Sequence, residues 1–199
     1  MGGPCDVRVG KIVATLFDDG TGKRWYRAKI LEKKLYGKVK VLFVDYGNIA
    51  IVPIATHLRP LDDALDTSRI PAIAKEAQLA QIQVRSLDDD DGVDAARMLS
   101  RLAWGRNMSA RILCQIEGKA FLTLSDPNDD SGMSVNELLV LKGLALTANK
   151  AESMTVMAKM VDNNSLVKLS ADVVTAQESA RKQRIGMWRY GDIGEEDEE

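Results

Sequence analysis

Six aromatic residues, Phe17, Trp25, Tyr26, Tyr36, Phe43 and Tyr46, crowd the first quarter of the chain, and only Trp104, Phe121, Trp188 and Tyr190 lie elsewhere. Aromatic faces attract organic cations, and the same rings also pack small β-barrels, so the cluster admits both readings. Interleaved with the rings are Lys23, Arg24, Arg27, Lys29, Lys33, Lys34, Lys38 and Lys40, with Glu32 against them. That local positive charge suits phosphates. The usual catalytic constellations are not evident. His57 is the sole histidine and stands near Pro60 in a connector, so neither a Ser-His pair nor a zinc site is expected. Asp126, Asn128, Asp130 and Glu137 follow the ligand spacing of a calcium loop. Ser131 nevertheless stands where that loop needs glycine, and Pro127 stiffens its start. The segment reads as a turn running into a helix N-terminus, and neither metal nor cofactor is expected.

The elements that position these residues come from a chain of 199 residues, enough for one large domain or two small ones. Its hydrophobic share of 45% and charged share of 28% are those of a soluble globular protein. No apolar run approaches the roughly 20 residues that span a bilayer. Cys5 and Cys114 form no C-x-x-C pair, which fits a reducing compartment, so the cytoplasm, the nucleus or both are expected. The net charge of −2 conceals an asymmetry between the basic N-terminal third and the acidic runs at 88–91 and 195–199. The last of these reads as a solvated tail over 193–199.

Residues 11–17, 24–32, 38–44 and 48–53 read as strands rich in Val, Ile and aromatics, joined by turns at 18–22, 36–37 and 45–48. Short antiparallel strands over 8–60 favour a small barrel, because closure removes edges. Pro60 and Pro71 mark a connector over 61–75. Beyond it, 77–84 reads as a strand and 93–104 as a helix begun by Asp90 and Asp91. A hairpin turns at Glu117-Gly118-Lys119, and 134–142 reads as a helix capped by Ser134 and stopped by Gly143. A long helix over 165–185 buries Leu166, Leu169, Val173, Ala176 and Ala180 and ends at Gly186. Residues 151–162 fit strand and helix periodicity equally well. The fold class expected is β-rich α+β.

Trp25-Tyr26-Arg27-Ala28 followed by Val44-Asp45-Tyr46-Gly47-Asn48 resembles the Tudor domain. Ala176-Gln177-Glu178-Ser179-Ala180 and Trp188-Arg189-Tyr190-Gly191-Asp192 resemble the C-terminal end of proteins that combine staphylococcal nuclease and Tudor domains. Ser134-Val135-Asn136-Glu137-Leu138-Leu139 with Gly143-Leu144-Ala145 is similar to the nuclease-like helix. The resemblance implies a Tudor barrel joined to a partial staphylococcal nuclease-like OB-fold over 76–192 with a long C-terminal helix. Because the chain starts almost at the barrel, that second fold is expected to be incomplete, with one exposed edge. In this family the Tudor barrel is a non-catalytic reader of symmetrically dimethylated arginine. The whole proteins take part in RNA silencing within RISC, in splicing and in transcription coactivation. Any calcium-dependent nuclease activity of a longer parent is assigned to its other domains.

On that resemblance, Tyr26, Phe43 and Tyr46 match cage positions, and Asn48 matches the polar residue that bonds a guanidinium nitrogen. The fourth wall is Phe17 or Leu16. Counting along the strand favours Leu16, whereas a bulge in the turn after Asp18 turns Phe17 inward. Methylation keeps the guanidinium charge but removes donors and weakens hydration, so π faces select it. The partners implied are arginine-methylated, arginine-glycine-rich proteins. Asp18, Asp19 and Asp45 must then offset the surrounding lysines at the cage mouth. The competing reading is a single-stranded RNA-binding module, with Lys23, Arg24, Lys29, Lys33, Lys34, Lys38 and Lys40 as contacts. Trp25 reads as packing, and Arg181, Lys182, Arg184 and Arg189 as a solvated helix face.

Overall fold

A computed structural model describes residues 5–18, 20–159 and 163–192. Contacts divide the chain into Met1–Glu76 and Ala77–Glu199. In the first unit, β1 (Ile12–Asp18), β2 (Lys23–Lys34), β3 (Lys38–Phe43), β4 (Ile49–Pro53) and β5 (Leu58–Arg59) form one antiparallel sheet in the order β4-β3-β2-β1-β5. A single helical turn, α1 (Ile54–His57), joins β4 to β5. β5 is too short to show periodicity in the sequence. Strict alternation puts Val13, Ala28, Ile30, Val39, Val41, Phe43, Val52 and Leu58 into one buried cluster. Every strand contributes to it, so the sheet is rolled into a small barrel around these side chains. The register shifts between Ile30 and Glu32, where β2 carries an extra residue and bends.

The second unit holds two small sheets. β6 (Ala77–Leu79) runs parallel to β9 (Lys119–Ser125), which pairs antiparallel with β8 (Ser109–Ile116), giving the order β6-β9-β8. β7 (Ile82–Gln83) pairs with β10 (Leu146–Thr147). The single strand expected over 77–84 is therefore two strands in different sheets. The break is at Gln81, whose φ of 63 is left-handed and turns the chain out of the first sheet.

Among the described residues, four α-helices belong to the second unit: α2 (Asp90–Ala103), α3 (Val135–Leu141), α4 (Lys150–Ala158) and α5 (Asn163–Gln183). The ambiguous segment is thus helical over Lys150–Ala158, capped by the Asn149 side chain, which accepts from the Glu152 N–H. Residues 160–162 lie outside the described residues. Ser134 accepts from the Glu137 N–H to cap α3. Leu166, Leu169, Val173 and Ala176 of α5 are buried with Val135, Leu139 and Val140 of α3 and Phe121 of β9. α5 ends two residues before 185, because Arg184 takes a φ of 54. Asn136, fully buried, donates to the carbonyls of Ala80 and Leu122 and accepts from the Leu124 N–H, so its desolvation is compensated. Among the described residues no helix is long and apolar enough to cross a membrane.

Candidate functional site

Directly opposed residues of an antiparallel pair share a face, and neighbours along a strand alternate. β1 and β2 pair Val13 with Ala28, Thr15 with Tyr26 and Phe17 with Arg24, while β2 and β3 pair Ala28 with Phe43. Phe17, Tyr26 and Phe43 therefore share the core-facing side. Leu16 pairs with Trp25 on the opposite side. Between the two candidates for a fourth ring, the structure brings Phe17 to the others. It does so by plain alternation: the pairing runs unbroken from Ile12 with Lys29 to Asp18 with Lys23, so no bulge turns Phe17 inward. Trp25 is covered on its own side by the Arg59 guanidinium, 4.1 Å from the ring centroid.

The four rings form a row. Phe17 lies 4.9 Å from Phe43 at an interplanar angle of 51°. Tyr26 stands edge-on to Phe43 at 6.1 Å and to Tyr46 at 5.3 Å, each at 89°. Their burial differs sharply: Phe43 is 1% exposed and belongs to the barrel core, whereas Tyr46 is 69% exposed. Phe17 and Tyr26 are half-buried. Phe43 is thus closed off from solvent, whereas Tyr46 stands at the surface. The sequence distinguishes these roles poorly, because burial depends on what the other strands place beside each ring.

Tyr46 and Asn48 are held by the turn between β3 and β4. The Tyr46 and Gly47 N–H groups both donate to the Phe43 carbonyl, at 3.2 and 2.7 Å, and the Phe43 N–H donates to the Asn48 carbonyl at 2.9 Å. Gly47 takes a φ of +85, which a side chain rarely adopts, and this lets the turn close so tightly. Asn48 is exposed in the same turn.

Asp45, in the same turn, has a different task. Its carboxylate accepts from Arg27 Nε at 2.9 Å and from an Arg27 terminal nitrogen at 2.6 Å. The remaining Arg27 N–H groups donate to the carbonyls of Leu65, Ile70 and Pro71. Arg27 thus satisfies all five of its donors, and its side chain is only 12% exposed. The Ile73 N–H also donates to Asp45, and the Ala74 N–H donates to the Val44 carbonyl. Together these bonds tie segment 65–74 to the turn that carries Tyr46. The Arg27 hydrogen bonds hold the Asp45 carboxyl below its ordinary value, and burial opposes them. Asp45 is therefore neutralised by Arg27 and does not supply the negative potential expected of it at the cage mouth. The Asp18 carboxylate accepts from the Gly20 N–H, and Asp19 lies outside the described residues.

The basic residues separate into groups. Lys23 and Arg24 are exposed at the start of β2, close in sequence to Tyr26. Lys29 lies mid-strand opposite Leu42, and Lys40 is half-buried opposite Glu32. Lys33, Lys34 and Lys38 are exposed at the far end of the ribbon. A concavity of about 810 Å³ is lined by Lys11, Lys29, Phe43, Gly47, Ala74 and Lys75. It depends on how segment 66–76 folds back, which no motif announces. Asp126 binds the backbone and side-chain amides of Asn128, Asp129 binds Ser131, and Ser134 begins α3. Among the described residues no three His, Cys, Asp or Glu side chains are placed to hold a metal. His57 Nδ1 is 2.8 Å from the Thr56 hydroxyl.

Residues 5–81 match the Tudor domain family. The extended Tudor domain of Drosophila melanogaster Tudor-SN (p100) superposes with a TM-score of 0.76 at 25% identity, over 94% of this chain and 79% of that one. Residues 5–81 are a Tudor domain, and the chain as a whole has the extended Tudor fold. Its small barrel is the Tudor unit, and the fold is that of a binding module rather than an enzyme. The Arabidopsis thaliana protein described as Ribonuclease TUDOR 1 is 33% identical over 174 residues. That alignment covers 81% of this chain but 16% of the relative, so the chain spans a small part of that longer protein. The extended Tudor domain from BmPAPI, solved in complex with sDMA, is 26% identical with a TM-score of 0.57, over 71% of this chain and 73% of that one.

Proposed function

We propose that the Tudor unit reads symmetrically dimethylated arginine in arginine-glycine-rich protein segments. The methylated guanidinium enters between Phe17 and Tyr46, with Tyr26 as the back wall and Phe43 as the floor. The side-chain oxygen of Asn48 accepts from a guanidinium N–H. The observation that carries this reading is the Tyr46 ring, 69% exposed yet held edge-on to Tyr26 at 5.3 Å by a tightly bonded turn. An exposed ring fixed at a right angle to a half-buried one is a corner into which a flat cation fits, and each wall contributes roughly 0.5–2 kcal/mol. The sDMA complex of the BmPAPI domain supports the same ligand class. An unmethylated arginine loses more hydration on entering, so methylation improves the balance.

The reading extends to a longer parent protein that acts on arginine-methylated partners in RNA silencing, splicing and transcription coactivation, in the cytoplasm, the nucleus or both. Its direct test is a calorimetric titration of the chain with one arginine-glycine peptide in unmodified, asymmetrically and symmetrically dimethylated forms. The symmetric form is expected to bind best, at micromolar strength or weaker, because a single caged side chain buries little area. Tyr46→Ala should weaken it by about tenfold or more. Equal affinity for the three peptides would end the proposal.

A further inference from the structure

The far end of the β2–β3 ribbon carries chemistry that the cage does not use. At its tip Tyr36 is 93% exposed and Leu35 78% exposed. Tyr36 also holds a left-handed backbone with a φ of 57, a conformation that glycine would take at less cost. So exposed a ring adds almost nothing to the barrel core, and the fold itself gains nothing from a tyrosine there.

Lysines flank that ring along the chain. Lys34 and Lys38 are directly opposed across the ribbon, and like charges in that position destabilise a sheet. Over 32–40 there are four lysines, at 33, 34, 38 and 40, against Glu32, a local charge of +3. Glu32 is bonded to Lys34 at 2.7 Å. Lys34 lies eight positions along β2 from Tyr26, which at about 3.3 Å per residue puts the tip roughly 25 Å from that ring. Glu32 offsets only part of this charge, so an anion beside Lys34 and Lys38 would relieve the repulsion that remains, and a planar π system could cover Tyr36.

We propose that this tip binds single-stranded nucleic acid, with an unpaired base stacked on Tyr36 and adjacent phosphates against Lys34, Lys38 and Lys40, which share one face of the ribbon. An unpaired base offers the open face that stacking needs, whereas a duplex keeps its faces covered. The footprint is small, one base and about three phosphates, so binding is weak. Its logarithmic salt slope is about −2, from about 0.7 per single-strand phosphate.

The test is fluorescence polarisation of a short labelled oligouridylate, and of the matching oligothymidylate, with the full chain at several salt concentrations. Tyr36→Gly should leave thermal stability unchanged or raised, since it relieves the backbone, yet weaken the oligonucleotide by about fivefold or more. Tyr36→Trp should keep the binding. The double change Lys34→Glu and Lys38→Glu should weaken it by more than about tenfold and flatten the salt slope. In each variant the methylated peptide should bind as it does to the parent chain. Unaltered oligonucleotide affinity in Tyr36→Gly and in the double variant would overturn the proposal. So would a parent chain that ignores the oligonucleotides but binds phosphatidylserine vesicles through this tip. Loss of peptide binding with oligonucleotide binding intact bears on the cage alone.

Discussion

At the scale of single residues, Arg27 and Asp45 matter most to the turn that carries Tyr46. Their side chains are 12% and 17% exposed, so removing one leaves the other charge largely shielded from water and unpaired. Arg27→Ala should lower the stability of the Tudor unit by about 2–3 kcal/mol, somewhat less than the loss of a fully buried pair. It should also weaken the methylated peptide, because the turn bearing Tyr46 loses its tie to segment 65–74. Hydrogen exchange of the β2 and β3 amides reads the first effect, and the peptide titration reads the second. The pH dependence has a definite sign. Asp45 has a depressed value in the folded state, so the stability it contributes is present above the unfolded carboxylate value of about 3.9. That stability is lost as pH falls through the lower folded value. Acid unfolding of Asp45→Asn should therefore lose part of this dependence, and an unchanged acid limb would count against the pair.

At the scale of elements, the end of α5 is fixed by a close crossing of two glycines. The Met187 N–H donates to the Gly143 carbonyl at 2.9 Å. A Cβ on Gly186 would stand 2.3 Å from that carbonyl oxygen, and one on Gly143 would stand 2.2 Å from the Ile185 oxygen. Both glycines also have left-handed φ, +64 and +60. Gly186→Ala therefore meets strain and backbone collision together, and should cost about 2–4 kcal/mol in urea unfolding followed by the buried Trp188. A cost below about 0.5 kcal/mol would show that the chain has room to shift there. The same logic orders the helices: α3 and α5 share one apolar cluster, and each is specified mainly by what it buries.

At the scale of the molecule, charge is nearly balanced, −2 over 199 residues, so no strong net field steers a cationic peptide to the cage. On the proposed reading, capture by π faces then dominates. Peptide affinity should change by less than about threefold between 50 and 200 mM salt, while affinity for an oligonucleotide falls steeply over the same range. Parallel salt titrations of the two ligands check this. Equal salt sensitivity would mean that the peptide is held by exposed carboxylates instead of rings.

Much of this molecule could be read from residue order alone. The alternation in β1 to β4 marks the strands, Ser134 and Gly143 bound α3, and the spacing of Leu166, Leu169, Val173 and Ala176 marks the buried stripe of α5. Periodicity and capping act over a few residues, so they survive in the sequence. Tertiary pairing decided the rest. It divided 77–84 between two sheets at Gln81, and made 150–158 a helix where two periods fitted equally. It put Phe17 beside Phe43, sank Phe43 into the core and left Tyr46 in solvent. It also committed Asp45 to Arg27 across 18 positions of chain. Such outcomes depend on which distant segments come to share a face, and pairing of that range leaves no local trace in the order of residues.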